Sequence, residues 1–278
     1  MPAPDECHDS RRRHGTKLTN GLECSALQTQ HIFLLLHTRD LVRLRFRGAA
    51  LGLAWNILQP ALYLLLFGLV FAVVNRSSYA DFVVYLFAGL VPWRFFDQTC
   101  SAMINSIVAS SVFTRGFRVP YFYFPASELG AQFVDFFASF VTLLALLSLF
   151  KTPWHPQMLI LPLSVLVWVL ITAGAGFCLA VIYVFFRDIQ PIVQMGLMMA
   201  LFSSNIFFKA DILSGRAGHI WLTVNPVCYW AALFQKPIYY GVWPLPLDWG
   251  VSLASALVLL LLGTVLYRTL RHKFYFYF

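Results

Sequence analysis

Long apolar runs separated by short polar stretches organise the chain from residue 51 onwards. A helix rises 1.5 Å per residue, so the roughly 30 Å hydrocarbon layer of a bilayer takes about 20 apolar residues. Six segments reach that length, at about 51–74, 82–104, 130–150, 157–185, 189–208 and 250–267. They predict an all-α integral membrane protein with six transmembrane helices. A further apolar region, 218–240, is broken by Asn225–Pro226 and Lys236–Pro237 into two pieces, each too short to cross. Two readings of it stand side by side. One is a pair of short re-entrant helices between spans 5 and 6, whose free backbone groups then need protein or a wet cavity. The other is an amphipathic outer loop in which Trp221, Tyr229, Trp230, Tyr239, Tyr240 and Trp243 form an interfacial belt.

Ahead of the first span, 26–47 has a helical pattern. At 100° per residue Arg39, Asp40, Arg43 and Arg47 share one sector, while Leu35, Val42 and Phe46 share another. Arg45 interrupts the pattern, which suits a helix lying along the membrane surface better than one crossing it. The plainer reading is that these arginines set topology and touch anionic headgroups. Residues 1–25, with Arg11, Arg12, Arg13 and Lys17 among Pro, Ser, Asp and Gly, predict a flexible cytoplasmic tail. The first apolar run, Ile32–Leu36, is too short for a signal-peptide core and lacks a cleavage site.

Composition agrees with the pattern: 59% of the 278 residues are hydrophobic and 12% charged, about half the usual charged share, with a mean hydropathy of +0.71. Soluble enzymes, disordered chains, collagen-like fibres and disulfide scaffolds are excluded. The net charge of +8 changes meaning once it is sorted by segment. With six spans and both termini cytoplasmic, fourteen of the 20 Lys and Arg fall on the inner side, whereas a seventh crossing would put the basic C-terminus outside. The charge then reads as an orientation signal and a docking face, not a nucleic-acid surface. Cys7, Cys24, Cys100, Cys178 and Cys228 form no C-x-x-C, and the seven histidines are scattered. The chain carries no Walker, G-x-S-x-G or H-E-x-x-H pattern, so it is expected to hydrolyse no ATP itself and to hold no metal or cofactor.

Four groups of residues can carry work. Asn56, Gln59 and Pro60 lie near the inner end of the first span, where unpaired amides are costly against lipid. Val91–Pro92–Trp93–Arg94 predicts a kink carrying an intramembrane cation, and Asp97 lies three residues on, on the same face. Arg94 either pairs with Asp97 structurally or contacts substrate. The inner loop Ser110–Glu128 places Arg115 and Arg118 beside Tyr121, Phe122, Tyr123 and Phe124, bracketed by Pro120 and Pro125. It fits a docking element for a cytoplasmic partner, or an aromatic anchor at the interface. Asp135, deeper in the third span, either pairs with a basic residue or is neutral. Asn205 and Lys209, at the outer end of the fifth span, are secondary candidates for a lining role.

In order and spacing these features resemble the permease subunits of ABC-2-type exporters, in the branch exporting O-antigen, capsule or teichoic acid. Arg39–Asp40–Leu41 through Arg43, Arg45, Phe46 and Arg47 into Leu51–Gly52–Leu53–Ala54–Trp55 and Leu58–Gln59–Pro60 carries the first match. Phe87–Ala88–Gly89–Leu90–Val91–Pro92–Trp93 with Phe95–Phe96 carries the second, Tyr123–Phe124–Pro125 with Glu128 the third, and Asn225–Pro226 a fourth. The resemblance covers residues from about 30 to the C-terminus and implies an ABC-2 transmembrane domain over 26–278. It implies a homodimer in the bacterial inner membrane, served by two separate ABC subunits that bind ATP and Mg. ATPase coupling would fall to Arg39, Arg43, Arg47, Arg115, Arg118, Tyr121, Phe122, Phe124, Pro125 and Glu128, with 26–47 as the interface helix. A channel for a lipid-linked glycan would be lined from Trp55, Asn56, Gln59, Tyr63, Trp93, Arg94, Phe95 and Phe96, although each of these aromatics is also what ordinary packing provides. Three places depart from the family's pattern: Arg94 where a small or uncharged residue is usual, Ser203–Lys209 in place of a proline-containing turn, and Val119–Pro120 in place of a basic pair. The same fold also serves drugs or small lipids. An enzyme of lipid-linked sugars, such as an acyltransferase, would have only His37 with Asp40 to work with.

Overall fold

The computed structural model describes residues 32–45, 79–110, 120–149, 153–209 and 216–276, with the single positions 58, 62, 66 and 70. Among these residues every regular element is helical. Helix α1 covers 32–45, α2 Tyr79–Ala109 and α3 Tyr123–Leu149. A 3-10 turn, Pro156–Ile160, feeds α4, Leu161–Phe185, and α5 follows at Ile189–Phe202. Two short helices, α6 (Arg216–Val224) and α7 (Pro226–Gln235), lead through a π turn, Lys236–Tyr240, to α8, Pro246–Leu270, and a closing 3-10 turn, Arg271–Phe276.

Among the described residues three stretches are long and apolar enough to cross a membrane: Tyr123–Leu149, Pro156–Phe185 and Pro246–Phe274. At 1.5 Å per residue each reaches about 40 Å. Their outer faces are apolar too, as exposed Phe133, Phe137 and Val141 on α3 and Leu253, Leu257, Leu261 and Val265 on α8 demonstrate. A water-soluble protein rarely leaves that much apolar surface open.

Helix α2 is the hub, packed on α3, α4, α5 and α7. Phe82 through Ala88 are all buried in succession, the mark of a helix surrounded on every side. It runs through Pro92 as one 31-residue helix, so the proline removes one backbone donor without ending the element. α4 and α8 make the tightest seam. A Cβ on Gly174 would stand 2.7 Å from the Leu260 backbone nitrogen, and one on Gly263 would stand 3.3 Å from the Gly174 carbonyl. Small residues bring the two backbones together, as they do between helices in lipid.

Several boundaries differ from the sequence expectation. The third helix begins at Tyr123, taking in the end of the expected inner loop. The fifth stops at Phe202, short of 208. There the Ser203 and Ser204 hydroxyls donate back to the carbonyls of Ala200 (3.2 Å) and Leu201 (2.7 Å). The Ser203 carbonyl in turn accepts from Trp221 Nε1 at 2.9 Å and Asn225 Nδ2 at 3.2 Å, which turns the chain aside. Asn225 also caps α7, its side chain accepting from the Val227 N–H at 3.0 Å ahead of Pro226. α7 is buried almost along its length, while Trp221, Tyr240 and Trp243 are exposed. The tail 1–25 lies outside the described residues. So does the first span, except for Leu58, Leu62, Leu66 and Val70, which are helical and exposed at four-residue spacing.

Candidate functional site

The amphipathic helix α1 lies against the start of α3, and three contacts of different kinds hold it there. Rings make the first. Phe33 stacks on His37 (5.5 Å between centroids), and both meet Phe124 edge-on, at 5.9 and 5.7 Å. Close backbone approach makes the second: Thr38 Oγ1 donates to the Ser127 carbonyl at 3.4 Å, and the Thr38 methyl fills the space beside Gly130, where a Cβ would meet it at 3.1 Å. Charge makes the third. Arg45 pairs with Asp135 and donates to Gln132 Oε1 at 3.2 Å. Arg45, which interrupts the amphipathic pattern, therefore helps tie α1 to α3, and Asp135 is paired with it.

Between α1, the end of α2 and the start of α3 lies a cleft of about 490 Å³, with Phe33, Leu41 and Phe124 on its apolar side and His37, Asp40 and Glu128 on its polar side. Burial pulls the His37 imidazole below its ordinary range, with the nearby Asp40 carboxylate pulling the other way. Burial beside these rings disfavours the charged imidazolium.

The expected coupling residues separate into distinct environments. Phe124 is only 1% exposed and serves as the seat of α1. Tyr121 packs on Phe274 of the closing turn, at 5.4 Å. Phe122 is exposed and lies beside α8, while Pro125 is buried and Glu128 faces the cleft. Arg39 and Arg43 are exposed on α1. Arg47, Arg115 and Arg118 lie outside the described residues.

Of the expected channel residues, Trp93, Phe95 and Phe96 are core. Trp93 is 2% exposed, and Phe96 continues a chain of rings through Trp230 (5.7 Å), Trp168 and Phe234. Phe95 packs on Phe136 of α3 at 4.9 Å. Arg94 is half-buried beside Phe87, Leu90, Val91 and Ser139, close enough to Asp97 to act on it electrostatically. Trp55, Asn56, Gln59 and Tyr63 lie outside the described residues.

A second polar cluster sits near the beginning of α8; Lys209 and Tyr239 in it are among the sequence candidates, whereas the pairing of Lys236 with Asp248 is not. Lys236 Nζ contacts Asp248 Oδ2 at 2.5 Å, and the same carboxylate oxygen accepts the Leu245 N–H at 2.7 Å. Nearby, Lys209 donates to the Tyr239 hydroxyl at 2.7 Å and lies over the Tyr85 and Tyr239 rings, while Tyr85 reaches the Phe208 carbonyl at 3.0 Å. The available signal was an acid at the third position of a proline-started helix with a lysine twelve residues earlier.

The sequence pattern of the ABC-2 type transporter family matches residues 32–239, a stretch that includes α1, the hub and both short helices. Among characterised proteins, the chain is 26% identical over 250 residues to an O-antigen export system permease protein of Myxococcus xanthus, covering 89% of this chain and 95% of the relative. It is 23% identical over 210 residues to an O-antigen export system permease protein of Klebsiella pneumoniae, covering 74% and 80%. A polysialic acid transport protein of Escherichia coli is 26% identical over 271 residues, covering 90% and 96%.

Proposed function

The chain belongs to the ABC-2 type transporter family, and we propose that it is the permease subunit of an ATP-driven exporter that carries a lipid-linked cell-surface polysaccharide across the inner membrane. The observation that carries this reading is the near end-to-end match to relatives named for O-antigen export and polysialic acid transport. In this reading two copies pair, and two separate ATP-binding subunits, holding ATP and Mg, dock on the cytoplasmic side. Each copy crosses six times: the segment 51–74, α2, α3, α4, α5 with the turn after it, and α8. Both termini are cytoplasmic, a tail over 1–25 precedes the transmembrane domain, and α6 and α7 are the re-entrant pair. Supporting the last point, α7 is short, buried, and capped by its own asparagine, which suits a helix that ends inside a membrane protein.

Coupling would run from the ATPases through Arg39, Arg43, Arg47, Arg115 and Arg118 on the exposed side to Tyr121, Phe122, Phe124, Pro125 and Glu128. Phe124 then transmits rather than docks, because it is buried under α1. While docked, α1 and the start of α3 would move as one piece, joined by rings, a close backbone contact and an ion pair. The glycan would pass Trp55, Asn56, Gln59, Tyr63 and Arg94, with Trp93, Phe95 and Phe96 shaping the wall from within each copy.

The test is purification of the tagged full chain from native membranes. Recovery of an ATP-binding subunit in equal amount supports the reading, and its loss of surface polysaccharide on deletion supports the cargo. Recovery without any ATP-binding partner, or unchanged surface polysaccharide in the deletion strain, overturns it.

A further inference from the structure

Where α4 and α8 run side by side, a groove of about 270 Å³ opens between them, bounded by Phe122, Phe177, Leu260, Gly263, Thr264 and Tyr267. Gly174 lines it as well. The few polar atoms along it are turned away: Thr264 Oγ1 donates into its own helix, to the Leu261 carbonyl at 3.1 Å, and the Tyr267 hydroxyl is engaged by the Phe122 backbone. What remains is carbon. The adjoining stripe on α8, Leu257, Leu261 and Val265, is exposed, so the groove opens on a face made for hydrocarbon.

From Leu260 to Tyr267 the groove follows α8 for about 10 Å, within the ~15 Å depth of one leaflet. Leu260, Thr264, Tyr267 and Arg271 fall on one helical stripe, at spacings of four, seven and eleven. Arg271 thus stands one turn beyond Tyr267, the last α8 residue lining the groove, exposed and near enough to Tyr267 to act on it electrostatically. Arg268 and Lys273 are exposed at the same end, and no Asp or Glu follows Asp248 in the sequence. An apolar slot along α8 with exposed positive charge just beyond its end matches one kind of molecule in both halves.

We propose that the α4–α8 groove holds an acyl chain of an anionic phospholipid, with the lipid phosphate against Arg271. Basic pockets beside membrane helices select anionic headgroups by this chemistry. The proposal rests on α8 crossing the bilayer, as in the reading above, and is independent of the cargo.

Native mass spectrometry of the full chain in mild detergent tests it, with dioleoyl phosphatidylglycerol, dioleoyl phosphatidylcholine and a polyprenyl phosphate as probes. The expected result is one phosphatidylglycerol retained per chain in preference to phosphatidylcholine. Arg271→Gln should lower phosphatidylglycerol retention about fivefold, the effect of one basic residue near a headgroup, and leave phosphatidylcholine unchanged. Thr264→Phe should fill the groove and remove both. Equal retention of the two phospholipids, or no change in Arg271→Gln, overturns the proposal. Preference for the polyprenyl phosphate also overturns it, in favour of the lipid carrier. Arg271 is exposed, so its variant decides the question even where Thr264→Phe does not fold. Loss of lipid selectivity with the ATP-binding partner still recovered counts against this proposal alone. Lipid selectivity without that partner counts against the transport reading alone.

Discussion

Lys236–Asp248 and Arg45–Asp135 are each a single contact between a cation and an aspartate on neighbouring helical elements, yet their surroundings differ. Asp248 has a side chain 5% exposed, sits in the first turn of α8 where the helix dipole favours an anion, and accepts a backbone N–H besides its lysine. Lys236 keeps 23% of its side chain exposed, against 33% for Arg45 and 13% for Asp135, and Gln132 gives Arg45 a second acceptor. Removing Asp248 takes the acceptor from both Lys236 and the Leu245 N–H. In the second pair the cation is the more exposed of the two, and without Asp135 it still has Gln132 as an acceptor. One pair belongs to a frame that joins α7 to α8, and the other is a releasable tie on a strap, α1.

The frame should therefore yield the largest effect. Asp248→Ala removes the partner of Lys236 and the acceptor for the Leu245 N–H, and should cost about 3–5 kcal/mol of stability. A lowered unfolding midpoint of the detergent-solubilised protein, or loss of folded protein from membranes, is the readout. A cost below about 1 kcal/mol would place Asp248 with the exposed pairs and erase the contrast.

Arg45→Ala comes next. A pair whose cation is one-third exposed stands nearer the surface case, at about 0.2–1 kcal/mol, so the fold should survive with nearly the parental midpoint. The change should show instead as faster proteolysis within 32–45 and as ATP hydrolysis less tightly tied to export. High salt should reproduce part of the effect in the parent protein and leave the Lys236 pair unaffected, since screening acts on exposed charges. Unfolding comparable to Asp248→Ala would mean that α1 is frame and not strap.

Some of this was legible in the sequence. The lengths of α3, α4 and α8 follow from apolar run length, and the break into α6 and α7 follows from Asn225–Pro226, where a cap and a ring leave few alternatives. The surroundings of single side chains did not follow. Trp93, Phe95 and Phe96 are large and apolar, and such residues suit lipid, a sugar path and a protein core equally well. Only the placement of Trp168, Trp230 and Phe136 around them puts them inside. Arg45 carried a usable signal: a cation on the wrong side of an amphipathic helix calls for an acid on another element, and Asp135 was the unassigned acid within reach. The α4–α8 seam had a weaker one, in Gly174 and Gly263 within otherwise bulky runs, because spacing identifies a small-residue face without naming its partner.

The smallest effect concerns His37, whose ring is held between Phe33 and Phe124 in the strap. Burial lowers its affinity for a proton from the ordinary value near 6.5, against a weaker pull from Asp40. With α1 released, the imidazole binds a proton more readily than when docked. By linkage, the docked form is therefore fully favoured above pH 6.5 and loses that advantage as the pH falls from there through the lowered value. Proteolysis within 32–45 should consequently quicken on acidification in the parent protein, whereas His37→Phe, which keeps the ring contacts and removes the proton site, should flatten this part of the profile. The contrast with the frame sharpens here, since cleavage elsewhere should not follow the same curve. Quickening toward high pH would mean that His37 is docked as the cation of Asp40, and would reverse the assignment.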